Sequence, residues 1–173
     1  NLIGGQRRTR LLASIEVPRN TPEKMVEHSY EYFKAGVRGI KAKIGSNPEL
    51  DAESIKEIRK KLGPDVSIRA DANRGYTVKE AITFCRLVER YDADLEVLEQ
   101  PVGTLDIEGT KAVREATSIP VEIDESAFSL PMVHRFLKAD AVDVINTKCA
   151  KASGIKGVRQ WAIAALAADR EIV

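Results

Sequence analysis

The sequence predicts an α/β fold, a TIM-type (β/α)8 barrel domain that is incomplete, with about six to seven strand–helix units present. Short apolar runs alternate with segments of helical period, and this alternation indicates parallel strands joined by right-handed crossovers. The strand segments are apolar almost throughout, as expected when both faces are covered. Charged residues at strand ends recur in steps of 24 to 28 residues from Lys43 to Lys148. This spacing is close to the roughly 31 residues per unit of an eight-unit barrel.

Proline, glycine and helix-capping residues mark the ends of the elements in the first two units. An apolar run at residues 11–17 predicts the first strand, and Thr21 before Pro22 is typical of a capped helix start. This helix should run to about residue 35, before Gly36. Residues 37–44 predict the second strand. The apolar spacing of residues 47–62 predicts the second helix, which Gly63-Pro64 ends.

The remaining elements follow the same alternation. The predicted strands are 66–70, 95–98, 121–123 and 141–147, with residues 171–173 beginning a seventh, and the predicted helices are 78–91, 106–117, 130–138 and 155–168. Seven strands do not close an eight-stranded barrel, and an open edge leaves backbone groups unpaired. We therefore interpret residues 1–173 as a partial barrel domain. The alternative is that two copies complete each other.

Composition is that of an ordinary globular protein. Lysine and arginine total 27 against 26 acidic residues, giving a net charge of +1, so no broad field attracts nucleic acid or an anionic membrane. We find no apolar stretch of about 18 residues and no secretion signal. Cys85 and Cys149 are too few for a disulfide scaffold or a thiolate zinc site, and Cys149 should face the helix layer from the sixth strand. These observations predict a cytoplasmic protein.

Three acidic residues, Asp71, Glu99 and Asp124, stand where predicted strands end. Because parallel strands of a barrel bring their carboxyl ends to one mouth, these side chains should meet. Carboxylate oxygens suit a hard divalent cation, magnesium above all. Each acid alone could equally be a helix cap or turn former. Their shared position in three successive units favours a metal site, since a carboxylate cluster needs a compensating cation or buried lysines.

Lysines bracket these acids. Lys41 and Lys43 lie two residues apart in a predicted strand and therefore share a face, and Lys148 follows the acids. If the shared face is the barrel interior, repulsion between the two ammonium groups should lower a lysine pKa toward the range of a base. The alternative is a lysine pair on a solvated edge strand.

Five motifs occur in order along the chain: Lys41-Ala-Lys43, Asp71-Ala-Asn73, Glu99-Gln-Pro101, Asp124-Glu-Ser126 and Thr147-Lys148-Cys-Ala-Lys151. In these motifs, and in Leu2-Ile-Gly-Gly, the chain resembles the barrel domain of the enolase superfamily, in its muconate lactonizing enzyme and mandelate racemase-like branch. The resemblance implies Mg²⁺, with Mn²⁺ as the alternative, bound by Asp71, Glu99 and Asp124.

The resemblance also implies roles for the other motif residues. Lys43 and Lys148 would be the acid/base catalysts on opposite sides of the substrate, and Lys41 would touch the substrate carboxylate and tune Lys43. Hydrogen bonds from Asn73, Glu125 and Lys151 would support these groups.

The function implied is that of an isomerase, a racemase, epimerase or cycloisomerase that removes a proton alpha to a carboxylate while magnesium stabilises the resulting enolate. The substrate would be a small carboxylate, and the complete protein a homo-oligomer without nucleic-acid or membrane partners. One alternative is a lyase, a hydroxy-acid dehydratase of the sugar-acid or hydroxyproline type. Another is an inactive barrel fragment, because the amino-terminal capping domain and the last barrel strands of the family are absent from this sequence.

Overall fold

A computed structural model describes residues 12–173. The predicted strand start at Leu11 and the Leu2-Ile-Gly-Gly segment lie outside the described residues. The strands are β1 (Ile15–Val17), β2 (Gly39–Lys43), β3 (Ser67–Asp71), β4 (Val97–Glu99), β5 (Val121–Ile123), β6 (Val144–Ile145) and β7 (Glu171–Ile172). The helices between them are α1 (Pro22–Lys34), α2 (Pro48–Leu62), α3 (Val78–Arg90), α4 (Ile107–Glu115), α5 (Leu130–Lys138) and α6 (Ile155–Ala167).

The seven strands form one sheet in the order β1-β2-β3-β4-β5-β6-β7, and every neighbouring pair is parallel. The predicted α/β class with consecutive parallel strand–helix units is therefore confirmed. Because all strands run the same way, their carboxyl ends lie at one edge of the sheet. The register places Lys43 beside Asp71, and Asp71 beside Glu99.

Strand boundaries differ from the predicted ones. β6 contains two residues where the apolar run predicted seven, and β3 extends one residue further to include Asp71. Ala141 and Val142 are buried although they precede β6. Buried positions are occupied by apolar residues whether or not their backbone pairs with a neighbouring strand. An apolar run in the sequence therefore overstates the length of a strand.

Helix starts follow local sequence signals. Proline occupies the first turn of α1, α2 and α5, where its missing N–H has no helical partner to lose. Asn47 caps α2 through its side chain, and Thr77 and Glu80 form a capping box at α3. Thr21 precedes α1 as predicted, but its side chain makes no capping bond. Among the helices of residues 12–173, none combines the length and apolarity needed to cross a bilayer.

The apolar core lies between the sheet and the helices, in two clusters. The larger cluster includes Phe84 of α3 and the smaller one Phe136 of α5, both fully buried. Truncation of a buried phenylalanine to alanine costs about 3–5 kcal/mol, so these clusters hold the helices against the strands. The outer layer thus fixes the strand ends that carry the charged residues.

The loops that follow β2 and β3 are pressed together at two glycines. A Cβ atom at Gly75 would lie 2.2 Å from the carbonyl oxygen of Gly45, and one at Gly45 would lie 2.3 Å from that of Ala72. Asp51 of α2 braces the same region, because its Oδ2 accepts a hydrogen bond of 2.6 Å from the Tyr76 hydroxyl and another from the Gly45 amide. These contacts fix the backbone beyond Lys43 and Asp71.

We expect Gly75→Ala to lower the free energy of unfolding by about 1–3 kcal/mol, because the added methyl meets backbone and the two loops must separate. Urea denaturation measures this loss. Gly103→Ala is the matched control, since a Cβ at Gly103 meets nothing within 4 Å. Equal midpoints for the two variants would contradict the close approach of the loops.

Candidate active site

Three buried carboxylates form a row at the carboxyl ends of β3, β4 and β5. Asp71 ends β3, Glu99 ends β4, and Asp124 directly follows β5. Their side chains are 1%, 0% and 10% exposed. Burial of a charge is costly unless the charge is paired, so this row requires neighbouring cations.

Two lysines supply positive charge at the β2 end of the row. Lys41 Nζ lies 2.5 Å from Glu99 Oε2 and 3.7 Å from Asp71 Oδ2, and Lys43 Nζ lies 2.7 Å from Asp71 Oδ2. The two lysine side chains therefore share one face, as predicted. That face is the one carrying the buried carboxylates and not a solvated edge, since the lysine side chains are 15% and 25% exposed.

Two further lysines stand at the other end. Lys148 and Lys151 each form an ion pair with a different carboxylate oxygen of Asp124. Lys151 also donates to the backbone oxygens of Asp124 and Asn146, at 2.8 and 3.1 Å. The Lys148 side chain is 54% exposed, so it can reach a ligand in the mouth. Lysines thus flank the row at both ends.

The expected lowering of a lysine pKa by a neighbouring lysine was wrong. Burial opposes the charged form, but hydrogen bonds to Asp71 raise the pKa of Lys43 above its usual value, and Asp124 does the same for Lys148. The physical reason is that each ammonium group lies against a carboxylate. Conversely, hydrogen bonds from Lys148 and Lys151 outweigh burial and lower the pKa of Asp124.

Glu99 is the carboxylate least compensated by its surroundings. Burial raises its pKa to about 7, and the nearby carboxylates of Glu122 and Asp71 contribute to the shift. Its Oε2 accepts no hydrogen bond of regular geometry although Lys41 is close. The Lys41 ammonium group nevertheless forms an ion pair with this oxygen at 2.5 Å. A buried, incompletely compensated oxygen is suited to a cation.

Within residues 12–173, no three His, Cys, Asp or Glu side chains stand as an assembled metal site. Asp71, Glu99 and Asp124 each pair with a lysine instead. Their chemistry nevertheless fits a hard divalent cation, since they offer three oxygen donors from successive strand ends and one of these oxygens lacks a regular partner.

The structure also brings together the predicted supporting residues. Asn73 accepts a hydrogen bond from Lys43 at 3.3 Å and donates one to Glu125 Oε1 at 3.2 Å, while its backbone amide donates to Asp71 Oδ1 at 2.9 Å. Asn73 adopts a φ of 43°, which asparagine tolerates better than most residues. Asn73 therefore links Lys43, Asp71 and Glu125.

A buried polar layer beneath the carboxylates was missed from sequence. Glu122 is fully buried, pairs with Arg69, and accepts a hydrogen bond of 2.9 Å from Asn146, which also donates to Glu99 Oε1 at 3.3 Å. Burial raises the pKa of Glu122. A signal existed, because Arg69 and Glu122 each lie two residues before a predicted ligand and so share its side of the strand.

A further missed contact lies at the β1 end. Glu16 Oε1 lies 3.1 Å from Lys43 Nζ, so the Lys43 ammonium group contacts carboxylates on both neighbouring strands. The Glu16 side chain is more than half exposed. Its pairing with Lys43 is correspondingly screened by solvent.

The prediction that Cys149 faces the helix layer from the sixth strand was wrong. Cys149 lies in an exposed turn after β6. Cys85 is buried in α3, and burial raises its pKa to about 12.

We expect a thiol reagent at neutral pH to modify Cys149 rapidly and Cys85 only after unfolding. Absorbance of the released thiolate counts the reacting groups, with Cys149→Ser as the control. Two fast thiols in the folded wild-type protein would contradict the burial of Cys85.

Residues 24–173 match the family described as enolase C-terminal domain-like. The chain is 42% identical over 154 residues to the L-Ala-D/L-Glu epimerase of Thermotoga maritima, covering 89% of this chain and 44% of that protein. It is 40% identical over 154 residues to the L-Ala-D/L-Glu epimerase of Clostridium acetobutylicum, covering 89% and 43%. The chain therefore spans less than half the length of these relatives.

Solved structures similar to this chain belong to the same kind of enzyme as the sequence relatives. The substrate-liganded L-Ala-D/L-Glu epimerase from Bacillus subtilis superposes with a TM-score of 0.87 at 37% identity, over 91% of this chain and 44% of that chain. The dipeptide epimerase from Cytophaga hutchinsonii, complexed with Mg and the dipeptide D-Ala-L-Val, gives a TM-score of 0.92 at 30% identity, over 99% and 46%. The chain belongs to the enolase superfamily, in its mandelate racemase and muconate lactonizing enzyme branch.

Proposed function

We propose that this chain is the barrel of an isomerase that inverts the carbon alpha to a carboxylate, with a dipeptide as substrate. The observation that carries the proposal is the placement of lysines at both ends of one row of buried carboxylates. The relatives at 40% and 42% identity are dipeptide epimerases, which supports the choice of substrate class.

Asp71, Glu99 and Asp124 would hold Mg²⁺, with Mn²⁺ as the alternative. When bound, the cation supplies electrostatic stabilisation of the negative charge that develops on the substrate carboxylate. Three carboxylates from successive strand ends are a suitable oxygen donor set. Burial and the carboxylates of Glu122 and Asp71 raise the pKa of Glu99, and a bound cation would offset this repulsion, which supports the assignment.

Lys43 and Lys148 would act as the acid/base pair. Each carries one carboxylate partner from the row, Asp71 or Asp124, and each is exposed enough to reach a ligand in the mouth. One lysine removes the alpha proton from one face of the substrate and the other delivers a proton to the opposite face, which inverts the carbon. Asp71 raises the pKa of Lys43. A cation bound to Asp71 would offset this effect, lower the Lys43 pKa and so make Lys43 a more effective base near neutral pH.

The remaining residues of the mouth would orient these groups. Lys41 would bind the substrate carboxylate, because its ammonium group lies between Asp71 and Glu99. Asn73 and Glu125 would hold Lys43 through their shared hydrogen bonds, and Lys151 would hold Asp124. Fixed positions of this kind reduce the entropy lost when the substrate is aligned.

We also propose that residues 1–173 act as one barrel domain of a longer protein. The support is the 43–44% share of the epimerase relatives that the chain spans. Experiments on turnover therefore use the protein at its full natural length.

The test follows L-Ala-L-Glu, L-Ala-D-Glu and a panel of other dipeptides in D₂O with Mg²⁺, by proton NMR and chiral chromatography. We expect inversion, with deuterium at the alpha carbon of the product. The same protein with excess chelator is the control. Loss of water from a sugar acid with hydroxyls on the alpha and beta carbons, assayed in parallel, to give a 2-oxo acid would favour the dehydratase alternative. Absence of exchange with every dipeptide would reject the proposed substrate class.

A further inference from the structure

Gln100, directly after Glu99, is fully buried and uses the whole hydrogen-bonding capacity of its side-chain amide. Its Oε1 accepts from the backbone amides of Asp124 and Ser126, both at 3.0 Å. Its Nε2 donates to Ser126 Oγ at 2.8 Å and to the carbonyl of Val102 at 2.9 Å. An amide has two donors and two acceptor lone pairs, so every one of these groups has a partner in this arrangement.

The backbone of Gln100 is held in an unfavourable conformation. Its φ is 41°, a left-handed value that costs a non-glycine residue free energy and persists only where the surroundings enforce it. Its amide donates to the Glu122 carbonyl at 2.7 Å, and its carbonyl accepts from the Arg74 amide at 2.8 Å. The loops after β3, β4 and β5 are therefore tied together at this residue.

Strand pairing alone leaves Asp124 without a fixed position. The β4–β5 register ends with Glu99 beside Glu122, and β5 itself ends at Ile123. Asp124 thus lies beyond the ladder that aligns Asp71 with Glu99. The Asp124 backbone amide instead donates to the side chain of Gln100, the residue that follows Glu99.

We propose that Gln100 is a positioning residue that sets the Asp124 carboxylate relative to Glu99 and thereby determines the affinity of the site for a divalent cation. This role rests on the metal site of the proposed function. Among the contacts of Gln100, the bond from the Asp124 amide reaches a residue of the carboxylate row directly, whereas its other contacts support the surrounding loops. Loss of this contact removes the hydrogen bond that ties Asp124 to the residue after β4 and leaves Asp124 held by Ala127, Lys148 and Lys151, while the first two carboxylates stay aligned by their strands.

The test is calorimetric titration of Mg²⁺ into the protein at its full natural length. Gln100→Met keeps a similar volume but removes all four side-chain hydrogen bonds, including the one from the Asp124 amide, and we expect it to weaken Mg²⁺ binding at least tenfold. Gln100→Asn tolerates the left-handed backbone but is one methylene too short to reach the Asp124 amide. We expect it to weaken binding at least fivefold, and it carries the test if Gln100→Met does not fold.

Two controls separate positioning from stability. Ser126→Ala removes a partner of Gln100 Nε2 but keeps the bond to the Asp124 amide, and Val66→Ala lowers stability in the core before β3, at the end of that strand opposite Asp71. We expect both to bind Mg²⁺ within twofold of wild type. Wild-type affinity in the folded Gln100 variants, or equal weakening in Val66→Ala, would overturn the role of Gln100 alone. No binding by the wild-type protein would overturn the metal site and this role with it.

Discussion

Lys148→Ala is expected to abolish epimerisation while one of the two epimers still exchanges its alpha proton with solvent. Lys43 and Lys148 stand at opposite ends of the carboxylate row, with separate partners in Asp71 and Asp124. Each would therefore serve one face of the substrate, and loss of one leaves proton removal by the other. General acid/base catalysis contributes about 10²–10⁴-fold, so the rate of inversion should fall by at least that factor.

Proton NMR in D₂O measures exchange and inversion separately for each epimer. Lys43→Ala is the matched variant and should show the reverse preference, with exchange retained in the other epimer. Lys60→Ala, on the outer surface of α2, controls for the removal of a lysine. Wild-type inversion in either variant would remove the proposed role of that lysine. Equal loss of exchange for both epimers in both variants would contradict their action on separate faces.

Glu99→Gln should abolish Mg²⁺ binding and at the same time stabilise the metal-free protein near neutral pH. Glu99 is fully buried, and its pKa is raised to about 7, first by burial and then by Glu122. Ionisation of Glu99 in the folded state is therefore unfavourable. A neutral amide of the same shape removes that cost but provides a weaker ligand for a hard cation.

The pH dependence follows from linkage. The unfolded chain loses the Glu99 proton near the ordinary value of 4.5, whereas the folded chain keeps it up to about 7. The folded state thus binds more protons between these values, and wild-type stability falls as pH rises through this window, by on the order of 2–3 kcal/mol. Below pH 4.5 the full contribution is present.

Urea denaturation in the presence of chelator, at pH 5 and pH 8, measures this difference. The fall between the two values should be smaller by about that amount in Glu99→Gln. Glu53→Gln, an exposed position on α2, is the control and should match wild type. An identical fall in wild type and Glu99→Gln would show that Glu99 ionises normally in the folded protein. Unchanged Mg²⁺ affinity in Glu99→Gln would remove Glu99 from the ligand set.

The sequence predicted the features that depend on short-range periodicity. Lys41 and Lys43 share a face because strand side chains alternate with a period of two, and Asp71 and Glu99 meet because successive parallel units bring their strand ends to one edge. Both relations can be read within a few residues or one unit. For the same reason the element order was predicted while the length of β6, set by pairing with its neighbours, was not.

Features that depend on partners distant in sequence were missed. Glu122 contacts Arg69 across 53 residues, and Gln100 contacts Asp124 across 24. Neither contact follows from the pattern around a single residue. The predicted direction of the Lys43 pKa shift was wrong for a related reason. The prediction included repulsion from Lys41 but not attraction to the carboxylate of Asp71, which lies 28 residues away in the sequence.

The central claim is that carboxylates from three successive strand ends bind one divalent ion between opposed lysines. Anomalous diffraction from crystals grown with Mn²⁺ tests it most directly. We predict a single strong peak in contact with oxygens of Asp71, Glu99 and Asp124, which disappears in Glu99→Gln. A peak elsewhere, or none in the mouth at saturating Mn²⁺, would contradict it.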